Sequence, residues 1–176
     1  MDRLITLTDV QTLFPISSNV NEEKALNPFI LQAQEFDLKP FLGDPFFLDV
    51  YNDAPNFNLY GDLWNGCEYQ WNTHTYSHAG LKSFLIASAY ARYLVKANST
   101  STPYGIVQKE TPYSSPTDSK ILALNIQQTK SVAVGYMAQV EAYICRNSEL
   151  FPLWRIGCFT GKKSGSISIN RIKRMK

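Results

Sequence analysis

The stretch NEEKALNPFILQAQEFDLKPFLGDPFFLDV, residues 21–50, predicts a helix, a sharp stop and a second helix. Asn21 is placed to cap the first helix, and two glutamates follow in the first turn, where the helix dipole favours negative charge. Apolar residues then recur at helical spacing: Leu26, Ile30, Ala33, and Phe36 or Asp37. Pro28 either kinks this helix or moves its true start to Asn27.

A glycine separates the two predicted helices. Gly43 takes backbone conformations that other residues avoid, so it is a natural helix end. Asp44-Pro45 then restarts a helix, with the aspartate as the cap and the proline in the first turn. We expect this second helix to end near Tyr51-Asn52-Asp53.

Outside this stretch, the first half of the chain predicts short elements. The capping-box spacing of Thr8 and Gln11 predicts a helix over Thr8–Phe14. Leu59–Asn65 forms one helical turn that stops at Gly66. The aromatic, partly alternating run Cys67–Thr75 predicts a strand that turns into a small hairpin near residues 72–74.

Two long helices are predicted in the second half. The first covers Ser77–Ala97, and the second begins at the Ser115-Pro116-Thr117-Asp118 cap and runs to about Asn147, roughly 45 Å. It serves as the backbone of a bundle or is kinked near Gly135. A loop with one short strand at Gly105–Lys109 lies between them. The predicted fold is therefore mainly α: a helical bundle with one long C-terminal helix, a small β-hairpin, and extended loops and termini.

Composition and charge indicate one globular domain with a basic arm. The 176 residues are 44% hydrophobic and 18% charged, no apolar run is long enough to span a bilayer, and no signal-peptide pattern is present. We therefore expect a soluble protein made in a cytoplasm. Residues 157–176 carry six basic residues and no acidic one, so we divide the chain into a helical domain, 1–156, and a basic C-terminal arm, 157–176.

The basic arm has two interpretations. It is a solubilising terminus, or it docks on an acidic neighbour or on nucleic acid. A similar choice applies to the aromatic residues Trp64, Tyr69, Trp71 and Tyr76, which pack in the core or form a subunit interface.

Candidate catalytic chemistry is sparse. Cys67, His74 and His78 are three potential zinc ligands, but a fourth is not evident and the segment is not a continuous helix. Phosphate-binding glycine loops and the G-x-S-x-G motif are absent. We therefore predict no catalytic, cofactor-binding or metal-binding residue, and no enzyme activity.

The order of motifs resembles the head–tail connector (adaptor, head-completion) proteins of tailed bacteriophages, of the type found in crAss-like and other Bacteroidetes phages. The motifs that carry the resemblance are structural, and they span about residues 4–155. In chain order they are Ala33-Gln34, Leu42-Gly43, Gly80-Leu81-Lys82, Tyr90-Ala91-Arg92, Gly105-Ile106-Val107-Gln108-Lys109 and Phe151-Pro152-Leu153-Trp154.

The resemblance implies a non-enzymatic virion protein. Such adaptors form a cyclic ring of about twelve copies between the portal and the tail or other neck proteins, and DNA passes through the channel. They assemble in the host cytoplasm and reside in the virion neck. Our candidate interface residues are Trp71, Tyr104, Ile106, Lys109, Lys162, Lys163, Arg171, Lys173 and Arg174.

Two other functions stay open at this point. One is a nucleic-acid-binding phage accessory protein, in which the basic tail and the Trp/Tyr residues bind and stack bases. The other is a small metal-dependent hydrolase that uses His74 and His78.

Overall fold

The computed structural model describes residues 2–54, 56–97, 99–102, 105–108 and 118–154. Seven α-helices and two antiparallel hairpins are found there, so the mainly helical prediction is confirmed. The helices are α1 (Leu7–Leu13), α2 (Asn27–Ala33), α3 (Lys39–Leu42), α4 (Asp44–Asp53), α5 (Gly61–Asn65), α6 (Gly80–Ala97) and α7 (Ser119–Arg146). The strands are β1 (Cys67–Trp71), β2 (His74–His78), β3 (Ser99–Thr102) and β4 (Gly105–Gln108).

The first long helix, residues 22–42, is a composite in which α-helical and wider π-helical turns alternate. Asn21 caps it as predicted, because its side chain accepts a hydrogen bond from the Lys24 amide at 2.9 Å. The π turns cover Glu22–Leu26 and Gln34–Leu38, and each ends two residues before a proline. Proline removes a backbone donor and crowds the carbonyl four residues earlier. The wider turn accommodates this crowding without a break in the helix.

The sharp stop falls at Gly43, where φ is +77° and α3 ends. Asp44 does not cap the next helix, contrary to the prediction. Gly43 occupies the cap position without a side-chain hydrogen bond, and Asp44 is the first helical residue. Its carboxylate still lies in the first turn of α4, where the helix dipole favours it. The helix ends at Asp53 as predicted.

Helix α6 occupies the centre of the fold. All eight residues from Phe84 to Ala91 are buried, and α1, α2, α5 and α7 all pack on this helix. It begins at Gly80, three residues later than predicted, because residues 74–78 pair with β1 instead. The predicted small hairpin is thus confirmed but is longer, with Cys67 opposite His78.

Two glycines join the hairpin to its flanking helices. Gly66 ends α5 with φ +89°, and Gly80 starts α6 with φ +80°. A Cβ atom on Gly80 would lie 2.3 Å from the Trp64 carbonyl oxygen and 2.5 Å from the Gly66 amide nitrogen. The backbones on either side of the hairpin therefore approach too closely for any side chain.

A buried amide holds the N-terminal segment on the first long helix. Gln34 is fully buried. Its Oε1 accepts a hydrogen bond from the Leu4 amide at 2.8 Å, and its Nε2 donates to the Asp2 carbonyl at 3.0 Å. The side chain therefore pairs with an extended backbone much as a neighbouring strand would.

The first helix is capped two residues before the predicted position. Thr6 is the N-cap of α1, and it forms a capping box with Asp9 in place of the predicted Thr8–Gln11 pair. Asp9 also forms an ion pair with Lys82 at 2.7 Å, which ties α1 to α6.

The long C-terminal helix runs without interruption from Ser119 to Arg146, about 42 Å. Its cap is Asp118, not the predicted Ser115; the carboxylate accepts from the Lys120 amide at 2.7 Å. The helix lies antiparallel to α6. The hairpin of β3 and β4 between them was predicted only as a loop with one strand. The predicted basic arm, 157–176, lies outside the described residues.

We predict opposite effects of alanine at two glycines. Gly80→Ala should destabilise the fold by roughly 3 kcal/mol or more, because the methyl group meets backbone atoms at a positive φ. Gly135→Ala should stabilise it by about 0.5–1 kcal/mol, because the site in α7 is helical and open. Urea unfolding followed by circular dichroism measures both. A neutral Gly80→Ala would contradict the close backbone contact.

We also predict that Gln34→Leu costs about 1–3 kcal/mol in unfolding free energy, since it leaves two backbone groups without their partner. Gln32→Leu, an exposed site on the same helix, is the matched control and should change stability by less than about 0.5 kcal/mol. Amide hydrogen exchange should show faster exchange at Leu4 in the first variant alone. Equal losses in both variants would refute this role of Gln34.

Candidate functional site

An arginine anchors the first hairpin to the end of α7. The guanidinium carbon of Arg146 lies 3.9 Å from the ring centre of Tyr76 and 4.8 Å from that of Trp71. Arg146 also donates a hydrogen bond to the Tyr69 hydroxyl at 2.8 Å. A cation held against several rings at this range is a favourable cation–π arrangement. The hairpin is therefore held as a rigid extension of the helix, with Trp71 40% exposed.

The four aromatic residues singled out in the sequence do not form one patch. Tyr69, Trp71 and Tyr76 converge on Arg146. Trp64 is buried elsewhere and stacks on Phe57, with ring centres 4.4 Å apart. Arg146 covers one face of the Tyr76 ring, so this face is already occupied by an intramolecular contact.

The three potential zinc ligands are separated by the register of the hairpin. Cys67 lies opposite His78, but His74 pairs with Trp71 at the far end of the same strands. Four residues of strand put about 13 Å between the two ends, too far for one metal ion. Among the described residues, no group of three or more His, Cys, Asp and Glu side chains is placed to hold a metal ion.

Cys67 and His78 meet in a half-buried cluster under the hairpin. The Cys67 sulfur lies 3.5 Å from His78 Nε2, and the His78 ring stacks on Tyr143 at 4.1 Å between ring centres. Burial raises the pKa of the Cys67 thiol. Burial lowers the pKa of His78, and the nearby Asp62 carboxylate partly opposes this second shift. Burial, with a contribution from Cys67, raises the pKa of Tyr143 to about 12. All three groups are therefore neutral near pH 7.

The hydrogen bonds of His78 fix its tautomer in a form unsuited to nucleophilic catalysis. Its Nδ1 accepts a hydrogen bond from the Gly80 amide at 3.2 Å. In the neutral ring the proton then resides on Nε2, which faces Cys67 and so cannot accept the thiol proton. The pair lacks the free base that an activated cysteine requires. Its evident role is to join the hairpin to α6 and α7.

A groove of about 680 Å³ opens between the first long helix, α6 and α7. Its apolar lining includes Phe41, Phe84 and Met137. Three more lining residues are strongly exposed: Phe36 by 64%, Val134 by 57% and Val95 by 52%. Apolar groups that stay in water at the mouth of a groove are typical of a surface that binds another protein.

Charged groups border this groove. Arg92 of α6 forms a two-pronged ion pair with Asp37, with both N–O distances at 2.7 Å, and its guanidinium lies 5.8 Å from the Phe36 ring centre. This pair fixes the spacing between α6 and the first long helix. Lys130 of α7 supplies a further positive charge on the opposite side.

The sequence analysis missed this groove as a site. Of the predicted interface residues, Trp71 lies in the first hairpin and Ile106 in β4. Tyr104, Lys109, Lys162, Lys163, Arg171, Lys173 and Arg174 fall outside the described residues, so those predictions stay open. A signal for the groove was present in the sequence. Phe36 is a position of the predicted apolar stripe of the first long helix, and Val134 directly follows the buried Ala133 of α7, so each apolar face is wider than bundle packing needs.

We predict that His78 makes the fold less stable in mild acid. Burial depresses its folded pKa below the ordinary 6.5, so the unfolded chain binds more protons and stability falls as pH drops through that value. Urea unfolding at several pH values should show this loss, and His78→Asn should remove it. His74→Asn, at the exposed end of the hairpin, is the matched control. An unchanged pH profile in His78→Asn would contradict the prediction.

Comparison with known proteins gives a family for the chain. No curated protein and no solved structure matches it significantly. No helix in the described parts of the chain is both long and apolar enough to cross a membrane. The model of the Family of unknown function (DUF6712) matches residues 38–164, which include all of α3 to α7. The chain therefore belongs to the DUF6712 family.

Proposed function

We propose that this protein is a non-enzymatic subunit of the neck of a tailed bacteriophage. In this proposal it forms a ring between the portal and the tail, and completes the channel through which DNA leaves the head. The order of helix, glycine stop, central helix and long final helix is the pattern on which the resemblance to head–tail connectors rests. We expect it in the host cytoplasm during assembly and in the virion afterwards.

The observation that carries the proposal is the open apolar groove. Three helices hold it in shape, and the Arg92–Asp37 ion pair ties two of them together. Phe36, Val95 and Val134 remain largely in water although the interior of the fold is well filled. A preformed surface of this kind fits a subunit that packs against other proteins, because little ordering is needed at the moment of contact.

The first hairpin supports the same function. Arg146 holds it against the end of α7, and the exposed Trp71 lies near its tip. Tryptophan is enriched at the centre of protein interfaces, where a large rigid ring fills a pocket. We infer that the hairpin contacts the portal or a neighbouring neck protein.

The test is assembly on the portal protein encoded in the same phage genome. We expect the purified protein alone to be monomeric or weakly associated, and to form stacked rings when mixed with portal. Mass photometry and negative-stain electron microscopy measure this. Trp71→Ala should weaken binding to the portal, while Trp64→Phe, a buried site away from the hairpin surface, serves as the control.

Two outcomes would redirect the proposal. A protein that ignores the portal yet shifts DNA on a gel would be a nucleic-acid-binding accessory protein. In that case, a full-length variant with Lys162, Lys163, Arg171, Lys173, Arg174 and Lys176 all changed to Gln should lose DNA binding and its salt dependence. A protein that does neither would refute the connector proposal.

A further inference from the structure

Charge is segregated along the described fold. Between Lys39 and Lys82 the sequence contains no Lys or Arg, but it contains five carboxylates: Asp44, Asp49, Asp53, Asp62 and Glu68. By contrast, α6 and α7 together carry six Lys or Arg residues and a single acidic one, Glu141. These two regions therefore bear opposite charge.

The fold puts these regions at different places on the molecule. The acidic α5 and the first hairpin join the N-terminal end of α6, where Gly66 contacts Gly80. Phe46 of the acidic α4 packs on Tyr60 at the start of α5. The C-terminal end of α6 carries Lys96, and α6 itself is about 27 Å long. Because α7 is antiparallel to α6, its early residue Lys120 belongs to that far end as well.

Three of the basic residues are already engaged within the chain. Lys82 pairs with Asp9, Arg92 pairs with Asp37, and Arg146 lies among the hairpin rings. For Lys96, Lys120 and Lys130, no carboxylate in the described residues lies within ion-pair distance. Their positive charge, close to the groove in the case of Lys130, is available to another molecule.

The acidic end carries exposed leucines that match the apolar character of the groove. Leu48 on α4 is 49% exposed, Leu59 is 72% exposed and Leu150 is 64% exposed. Leu59 and Leu150 directly precede Tyr60 and Phe151, whose rings stack 6.4 Å apart. Phe46, two residues before Leu48, packs on both of these rings, so the three leucines belong to one end of the fold. The side chain of Asp44 is 77% exposed there and makes only a long 3.9 Å ion pair with Lys39.

We propose that this leucine-bearing acidic end docks into the groove of a second copy of the chain, where Lys130 lies in the lining and the charge of Arg92 is balanced by Asp37. The contact is head-to-tail, since two different surfaces meet, and its repetition gives a closed ring where the rotation closes. Apolar burial between the leucines and the groove would supply the affinity. Opposite charge would set the orientation and disfavour groove-to-groove pairing. This inference rests on the proposed function for the ring, and it names the two surfaces that build it.

Two blocked variants test the contact. Val134→Glu adds a negative charge inside the groove, and Leu48→Lys adds a positive charge to the acidic end; both sites are exposed, so the fold should persist. Leu124→Glu is the matched control, because Leu124 is exposed on α7 but does not line the groove. Circular dichroism and thermal melting check that each variant is folded.

Sedimentation velocity up to a concentration of about 1 mM detects weak association of this kind. We expect self-association of wild type and Leu124→Glu, at least about tenfold weaker association of each blocked variant, and weakening of the wild type by high salt. A mixture of the two blocked variants should recover association, because one variant retains its groove and the other retains its acidic end. If two copies instead paired through the same surface on each, mixing the two variants would not restore association.

The results separate this inference from the connector proposal. The inference fails if wild type stays monomeric over the whole range, if both blocked variants associate like wild type, or if their mixture stays monomeric. If both variants also assemble on the portal as wild type does, the connector function stands and the ring contact lies elsewhere. If wild type fails to assemble on the portal but the mixture recovers association, the head-to-tail contact stands alone.

Discussion

The burial of α6 on every side is the constraint on which the rest of the fold depends. Phe84 to Ala91 are eight consecutive buried residues, more than two full turns with no face in water. A helix of this kind cannot pack on one neighbour alone. Small residues at Ala87, Ser88, Ala89 and Ala91 let surrounding helices come close, which is why α1, the first long helix, α5 and α7 can all contact it.

The position of α6 in turn requires strict control of how the chain enters it. Gly66 and Gly80 bring the two sides of the hairpin into backbone contact. The His78 ring accepts a hydrogen bond from the Gly80 amide. The histidine is buried and neutral there, so a residue that looks like a metal ligand in the sequence serves to begin a helix. The Gly80-Leu81-Lys82 motif, one of those that carry the resemblance to head–tail connectors, has the same physical basis. Only glycine fits at its first position.

Most of the architecture was predictable from the sequence, since its signals are local. Asn21, Gly43 and Gly66 act through their own backbone and their near neighbours, and the elements that they begin or end were found where expected. The predictions were wrong where contacts with other residues determine the local structure. Residues 77 and 78 have helical neighbours but pair with β1, and Thr6 replaces Thr8 as a cap because Asp9, not Gln11, completes the capping box. Gln34 has no local signal at all, because its two partners lie about thirty residues away.

The candidate site was harder to predict for the same reason. The groove is formed by three helices together, so no single segment of the sequence predicts it. Its exposed apolar residues each look like an ordinary member of an apolar stripe: Phe36, Val95 and Val134. Beside them, the ion pair between Arg92 and Asp37 joins the first long helix to α6. A partly exposed ion pair contributes modestly to stability, on the order of 1 kcal/mol. Its two hydrogen bonds nevertheless fix the orientation of both side chains. Covering these apolar groups would remove them from water, and the proposed contacts depend on this gain in free energy.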